Sequence, residues 1–415
     1  MKRRRLLHIA IALALLAMLV APTCSSPAVE SGAYLQDVLA HDAVVARWTP
    51  TPQKLTLRVL DGDREIARVD EPGPALRHEL KVSGLDPGRR FAFEMVDATG
   101  QVVDRGGFVT RSEDDRHPLR FAVFGDSGGQ PFWIWLQNAP IFALLPLTRW
   151  LPTASEPRLI ADSILAGKPD FVLHVGDVIY PWGRQEHYTT GFFRPFGDLL
   201  RTAPIFPVLG NHDCMTENGA PFLSNFVLPD DGQGERCFTF RDGPLRVIGL
   251  DLNDEVTGDH PSIAYLRRIA STSTEPFLVV YSHYPVRSVY RDHPRADLER
   301  FYVPLCRELG VDLILAGHDH QYQRYEQPGE TIEVVTGGGG KSLYEIYHRP
   351  EGLVVARSAY HACFVDIDGA RLHLVARTPE GEVLDEFTID KTALDRAGKL
   401  RGNPQRLARI RALAR

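Results

Sequence analysis

Residues 119–128 read Leu-Arg-Phe-Ala-Val-Phe-Gly-Asp-Ser-Gly, an apolar run that stops on a Gly-Asp pair. A run this continuous does not suit a strand with one wet face. It suits a strand covered on both sides, as in sheets flanked by helices. Five further runs have the same character: Phe171 to Val175, Ile205 to Leu209, Leu245 to Leu250, Phe277 to Tyr281 and Val311 to Ala316. Helical stretches separate them, so residues 116–392 are expected to form an α/β (α+β) body. Five of the six runs end directly at a cluster of Gly, Asp, Asn or His. Polar residues just past the carboxyl ends of buried strands are where such folds place their sites.

Upstream, the pattern changes. Between about Tyr34 and Thr110, apolar and polar residues alternate with period two, as in Leu55-Thr56-Leu57-Arg58-Val59 and Phe91-Ala92-Phe93-Glu94-Met95. Asp61-Gly62, Pro72-Gly73, Pro87-Gly88 and Thr99-Gly100 supply turns at short intervals. Short alternating strands with such turns predict an all-β sandwich over residues 30–115. Leu85-Asp86-Pro87-Gly88 leading into Phe91 resembles the corresponding stretch of fibronectin type III modules. The region shows no catalytic cluster, which suits a supporting or docking domain. The charged stretch Glu113 to Pro118 marks its boundary.

The N-terminus reads as an export signal over residues 1–27. Lys2, Arg3, Arg4 and Arg5 precede an almost purely apolar Leu6 to Val20, shorter than the ~20 residues a spanning helix needs. No second stretch is long enough to span, so the expected location is exported: periplasmic, secreted or lipid-anchored at the cell surface. An uncleaved anchor is the alternative, and Cys24 is compatible with peripheral or lipid anchoring. The formal net charge of -6 argues against a general nucleic-acid binder. Five cysteines form no disulfide framework, but Cys214 and Cys237 bracket a Gly/Pro/Asp-rich loop and are expected to pair. The apolar segment 131–151, with Phe132, Trp133 and Trp135, reads as a packed helical insertion, or alternatively as a lid or partner surface. The tail 393–415 is basic and reads as a solvated helix, with a membrane-surface helix as the alternative.

Five clusters carry the chemistry: Gly125-Asp126-Ser127-Gly128, Gly176-Asp177-Val178-Ile179-Tyr180, Gly210-Asn211-His212-Asp213, Ser282-His283-Tyr284-Pro285 and Gly317-His318-Asp319-His320. A lone Gly-Asp is a turn, and a lone His is seldom a ligand. Five clusters on successive strand ends, each offering an oxygen or imidazole donor, are a different matter. In this order they resemble the calcineurin-like metallophosphoesterases, whose pattern is GDxG, GDxxY, GNH(D/E), a His after an apolar strand, and GHxH. Gly128 stands where most of that family has a His, and Tyr180 lies three residues after the second Asp. That pairing resembles the purple acid phosphatases in particular.

The resemblance implies a four-layer metallophosphoesterase sandwich holding two metals, Fe(III) plus a divalent Fe, Zn or Mn. Asp126, Tyr180 and His320 would hold the first, Asn211, His283 and His318 the second, and Asp177 would bridge. It further implies hydrolysis of a phosphate ester by a metal-bound hydroxide, with His212 as acid and His293 contacting substrate; Asp213 would orient His212, with a structural turn role as an equal alternative. Arg287 and Arg291, on the loop after His283, are candidate partners of phosphate oxygens, with surface solvation as the alternative. Gly337 to Gly340 suit a tight turn facing the site better than an anion cradle, and His174 and His187 match no ligand position. Phosphomonoester hydrolysis is the favoured activity. A phosphodiesterase or nucleotide pyrophosphatase on the same scaffold is the near alternative, and a binding module with an inactive site a further one.

Overall fold

The computed structural model describes residues 29–128, 155–290, 295–326 and 331–413. The expected signal segment with Cys24, the apolar segment 131–151, and the candidates Arg291 and His293 lie outside the described residues.

The alternating N-terminal segment forms two antiparallel sheets. β1 (Tyr34–Gln36), β2 (Asp42–Gln53) and β5 (Ala75–Ser83) make one in the order β1-β2-β5. β3 (Leu55–Asp61), β4 (Arg64–Asp70), β6 (Arg90–Asp97) and β7 (Val102–Val109) make the other in the order β4-β3-β6-β7. Period-two alternation sends Val45, Leu55, Leu57, Val59, Leu80, Phe91, Phe93 and Phe108 into one shared core. The sandwich is fastened to the body by buried polar contacts. Arg111, fully buried, pairs with Asp242 at 2.9 Å, donates to the Asp170 carbonyl at 2.9 Å and lies over the Phe171 ring. Tyr34 donates its hydroxyl to the Asn225 carbonyl at 2.8 Å.

The body has two mixed sheets. The first runs β10 (Ile205–Pro207), β9 (Phe171–His174), β8 (Leu119–Phe124), β18 (Ala362–Asp368), β19 (Arg371–Arg377), β20 (Val383–Asp390). The second runs β11 (Phe238–Asp242), β12 (Leu245–Gly249), β13 (Phe277–Tyr281), β14 (Leu313–Ala316), β16 (Ile332–Thr336), β15 (Tyr322–Tyr325), β17 (Leu353–Arg357). Each of the six apolar runs became a strand, and the reason lies in their faces. Phe277, Val279 and Tyr281 join the core between the sheets, while Leu278 and Val280 join a second core under α3 (Pro261–Thr272) and α4 (Val303–Leu309). On the other sheet, α1 (Ser155–Gly167) buries Ile160, Ala161 and Ile164, and α2 (Arg194–Leu200) packs beside it. Helix, sheet, sheet and helix stack in that order.

Two expectations are corrected here. Cys214 and Cys237 are both free thiols. Cys237 precedes β11, and strand alternation turns it into the helix-facing core, where its Sγ lies 3.3 Å from Ser262 Oγ. Cys214 packs against the other core, between the sheets. Nearness in a loop did not fix side-chain direction. The basic tail is not a solvated helix either. α5 (Lys391–Arg396) and α6 (Pro404–Leu413) dock on the body, with Arg406 and Ile410 fully buried. Arg406 meets Asp312 at 2.6 Å and the Gly310 carbonyl at 2.5 Å, and Lys391 pairs with the same Asp312. A buried guanidinium is tolerable because a carboxylate and carbonyls receive it.

Candidate metal centre

The site lies where the parallel strands of both sheets end. β8 and β9 pair in parallel with Phe124 opposite His174, so Asp126 and Asp177 leave the first sheet side by side. Asp126 N donates to the Gly176 carbonyl at 3.0 Å and Ser127 N to the Asp177 carbonyl at 3.2 Å, which locks the two turns together. β13 and β14 pair in parallel in the second sheet, and Gly317 N donates to the His283 carbonyl at 2.9 Å. Asp126, Asp177 and His318 all adopt left-handed backbone angles, with φ of 56°, 54° and 67°. L-residues avoid that region, and surrounding structure must over-determine it, a pattern typical of working sites.

All seven expected ligands converge. Asp126, Asp177 and His283 offer donor atoms within 4.8 Å of one another. The Tyr180 hydroxyl lies 3.1 Å from Asp126 Oδ1 and 3.2 Å from His320 Nε2. His283 Nε2 is 3.5 Å from Asp177 Oδ1 and 2.9 Å from Asn211 Oδ1, which is itself 3.0 Å from His318 Nδ1. Carbonyls fix two of the rings. His283 Nδ1 donates to Val175 O at 2.9 Å and His320 Nδ1 to Ser342 O at 2.8 Å, leaving each Nε2 as a bare lone pair.

That arrangement fits metal ions. Asn211 Oδ1, His283 Nε2 and His318 Nδ1 meet within 3.3 Å, and at most one of these acceptor atoms can carry a proton. A cation satisfies all three. Burial, then the neighbouring Asp177 charge, pushes the Asp126 carboxyl well above the usual range. Burial and the same carboxylates push the Tyr180 phenol up. Burial lowers His283 and brings His320 down to about 4. Burial leads in all four; for Asp126 and Tyr180 the neighbouring carboxylate charge adds to it, and bound cations would offset that charge.

Gly128 explains the tyrosine. A Cβ there would stand 2.6 Å from Tyr180 Cδ2 and 2.9 Å from its backbone nitrogen. Any side chain at 128 and the Tyr180 ring would compete for one space.

The flanking candidates are distributed as follows. His212 donates from Nδ1 to the Pro181 carbonyl at 2.6 Å and packs 4.5 Å from the Tyr180 ring, centroid to centroid. Its expected partner Asp213 is engaged elsewhere: the buried carboxylate accepts from Gly210 N at 2.9 Å and Val178 N at 3.1 Å. It braces two ligand turns rather than the His212 ring. Arg287 lies 3.5 Å from Glu333. Asp319 is buried and receives the Ser288 hydroxyl at 2.5 Å and Gln323 Nε2 at 2.8 Å, tying the His283 loop to the His318 turn. Gly337 to Gly340 form a turn: Gly339 N donates to the Gly125 carbonyl at 2.9 Å and Gly337 N to that of Gln321 at 3.3 Å, so these amides are used within the fold. His174, buried, accepts from Gly176 N at 3.2 Å and meets Ser127 Oγ at 2.9 Å, a structural role. Sequence reading missed Lys341, whose Nζ lies 4.3 Å from the Tyr180 ring centroid. Only its place after four glycines hinted at it.

Fold and site together define a binuclear metallophosphoesterase. Residues 119–322 match the family model of the calcineurin-like phosphoesterases. The human tartrate-resistant acid phosphatase type 5 is 27% identical over 254 residues, 53% of this chain and 73% of that protein. Purple acid phosphatase 4 of Arabidopsis thaliana is 24% identical over 245 residues, 49% of this chain and 72% of that protein. The structure of purple acid phosphatase PPD1 from yellow lupin superimposes with a TM-score of 0.71 at 17% identity, covering 92% of this chain and 76% of that one. Over residues 119–322 the chain is thus similar to the calcineurin-like phosphoesterases, a hydrolytic family, and among them to the purple acid phosphatases. Such a fold implies a phosphate ester substrate. No helix among the described residues is long and apolar enough to cross a membrane.

Proposed function

We propose that the protein is an exported purple acid phosphatase-like enzyme that hydrolyses phosphomonoesters. Asp126, Tyr180 and His320 would hold Fe(III), Asn211, His283 and His318 would hold a divalent Fe, Zn or Mn, and Asp177 would be shared between them. The observation that carries this reading is the Tyr180 hydroxyl on Asp126 and His320, in the space that Gly128 leaves open. A phenol, with its ordinary pKa near ~10, gives up its proton in acid only to a strongly polarising cation such as Fe(III).

When bound, a metal pair supplies an acidified water and neutralises charge on the phosphoryl oxygens. The chain's own residues do the rest. His283 and His320 are held as lone-pair donors by the carbonyls of Val175 and Ser342. Asp177 accepts from His212 N at 2.9 Å, which sets the backbone of the acid beside the bridge. The Pro181 carbonyl orients the His212 ring, which points its other nitrogen to serve as proton donor to the departing alkoxide. His293, Arg291 and Arg287, all in the chain segment after His283, are the further candidates for substrate contact. The 3+4 strand order of the N-terminal sandwich supports kinship with fibronectin type III modules and a supporting role. Export rests on Lys2 to Arg5 followed by Leu6 to Val20.

Elemental analysis of the purified protein, paired with an aryl phosphate and a bis-aryl phosphate at mildly acidic pH, tests the reading. Two metals per chain, one of them iron, and faster monoester turnover are expected. One metal or none, or turnover of the diester alone, overturns it.

A further inference from the structure

Two lysines of the body are largely withdrawn from water, and the fold treats them differently. Lys391 is fully buried and paired with Asp312. Lys341 is half-buried, and among the described residues no carboxylate lies within ion-pair distance of its Nζ. Its contact is the face of Tyr180, 4.3 Å from the ring centroid. An ammonium over an aromatic face is held by the ring quadrupole, but that attraction leaves its remaining donors free.

The lysine stands on a rigid base. Its backbone N donates to the Asp126 carbonyl at 3.0 Å, and Gly339 of the preceding turn donates to the Gly125 carbonyl at 2.9 Å. The stem is thus tied to the turn that carries the first ligand. With its stem fixed beside the first ligand turn and no carboxylate among the described residues at ion-pair distance, the ammonium is placed to receive an incoming anion.

We propose that Lys341 is a substrate-binding residue whose Nζ takes a non-bridging oxygen of the phosphate ester, and of the phosphate product, beside the Tyr180 half of the metal site. It thereby favours the doubly charged monoester over the singly charged diester. The inference rests on the phosphoesterase reading above and adds the cation that fixes charge selectivity.

The test uses the full, metal-loaded chain with Lys341→Met and Lys341→Arg. Binding of inorganic phosphate is measured by calorimetry, and KM and kcat are measured for an aryl phosphate and a bis-aryl phosphate. In Lys341→Met, phosphate binding and monoester KM are expected to weaken roughly ten- to a hundredfold, as for loss of a charged hydrogen bond. The diester KM should move less, iron content should hold, and Lys341→Arg should restore most of the loss. Unchanged phosphate binding and monoester KM in a metal-loaded Lys341→Met, equal weakening for both esters, or loss of iron without the KM effect each overturn the inference. A wild type that takes up no metal, or hydrolyses neither ester, overturns instead the reading on which it rests.

Discussion

At the scale of single residues, the site is a matter of who occupies one small volume. Gly128 has no side chain because Tyr180 stands there, with a side-chain and a backbone atom both closer than a Cβ tolerates. Rotating the tyrosine relieves only the first of these contacts. Gly128→Ala should therefore cost about 1–3 kcal/mol by overpacking and displace the phenol from Asp126. Denaturant unfolding and visible absorbance of the iron-loaded protein read both effects together. A variant with wild-type stability and wild-type colour would mean that Tyr180 is not held by this fit. His212 makes the complementary case, since its imidazole packs on the Tyr180 ring but gives its hydrogen bond to the Pro181 carbonyl, which orients it, rather than to a ligand. His212→Ala should keep both metals and lower kcat by roughly 10²–10⁴. An undiminished kcat would move the proton donor to another group. Sequence could name His212 but not what orients it. Asp213, its neighbour in the chain, suits either orienting His212 or a structural turn, and its carboxylate takes the second role, on the amides of Gly210 and Val178.

At the scale of elements, β16 carries a titratable group inside the second sheet. Glu333 is 2% exposed, accepts from Val286 N at 2.7 Å, and lies 3.5 Å from Arg287. Burial raises its carboxyl from near 4.5 to about 7. Between those values the folded chain keeps a proton that the unfolded chain has lost. Its stabilising contribution is therefore full below pH 4.5 and fades as pH rises through 7, by about 3 kcal/mol over the window. Glu333→Gln fixes the neutral form, so urea unfolding from pH 5 to 8 should show a flatter profile for the variant than for the wild type. Identical profiles would mean that Arg287 keeps the carboxylate ionised throughout. The elements themselves were largely legible. The six apolar runs are strands because both of their faces are covered, and a continuous run states that directly. What could not be read was anything set by a distant partner. Arg406 looks solvated in the sequence and is buried in the fold because Asp312, far upstream, receives it. Cys214 and Cys237 look like a pair and enter opposite cores.

At the scale of the whole molecule, the ligands come from two sheets. Asp126, Asp177, Tyr180 and Asn211 follow β8, β9 and β10 of the first, while His283, His318 and His320 follow β13 and β14 of the second. The tail helices α5 and α6 fasten the other end of β14 through Asp312, while at the site end metals would add to hydrogen bonds such as His283 Nδ1 to the Val175 carbonyl and His318 N to Asp126. Without cations, Asp126 and Tyr180 are crowded against Asp177, and both resist ionisation. Chelation should therefore loosen the molecule where the sheets meet at the site and leave the tail end closed. The stabilisation lost is about 4 kcal/mol per site when free metal had stood a thousandfold above its Kd. Thermal unfolding should shift down on chelation and recover on metal return. Hydrogen exchange should quicken in residues 125–128 and 176–180 of one sheet together with 282–290 and 317–321 of the other, while amides of α6 keep their protection. Quickening confined to one sheet, or an unmoved Tm, would mean that the two halves are held together by their shared apolar core alone.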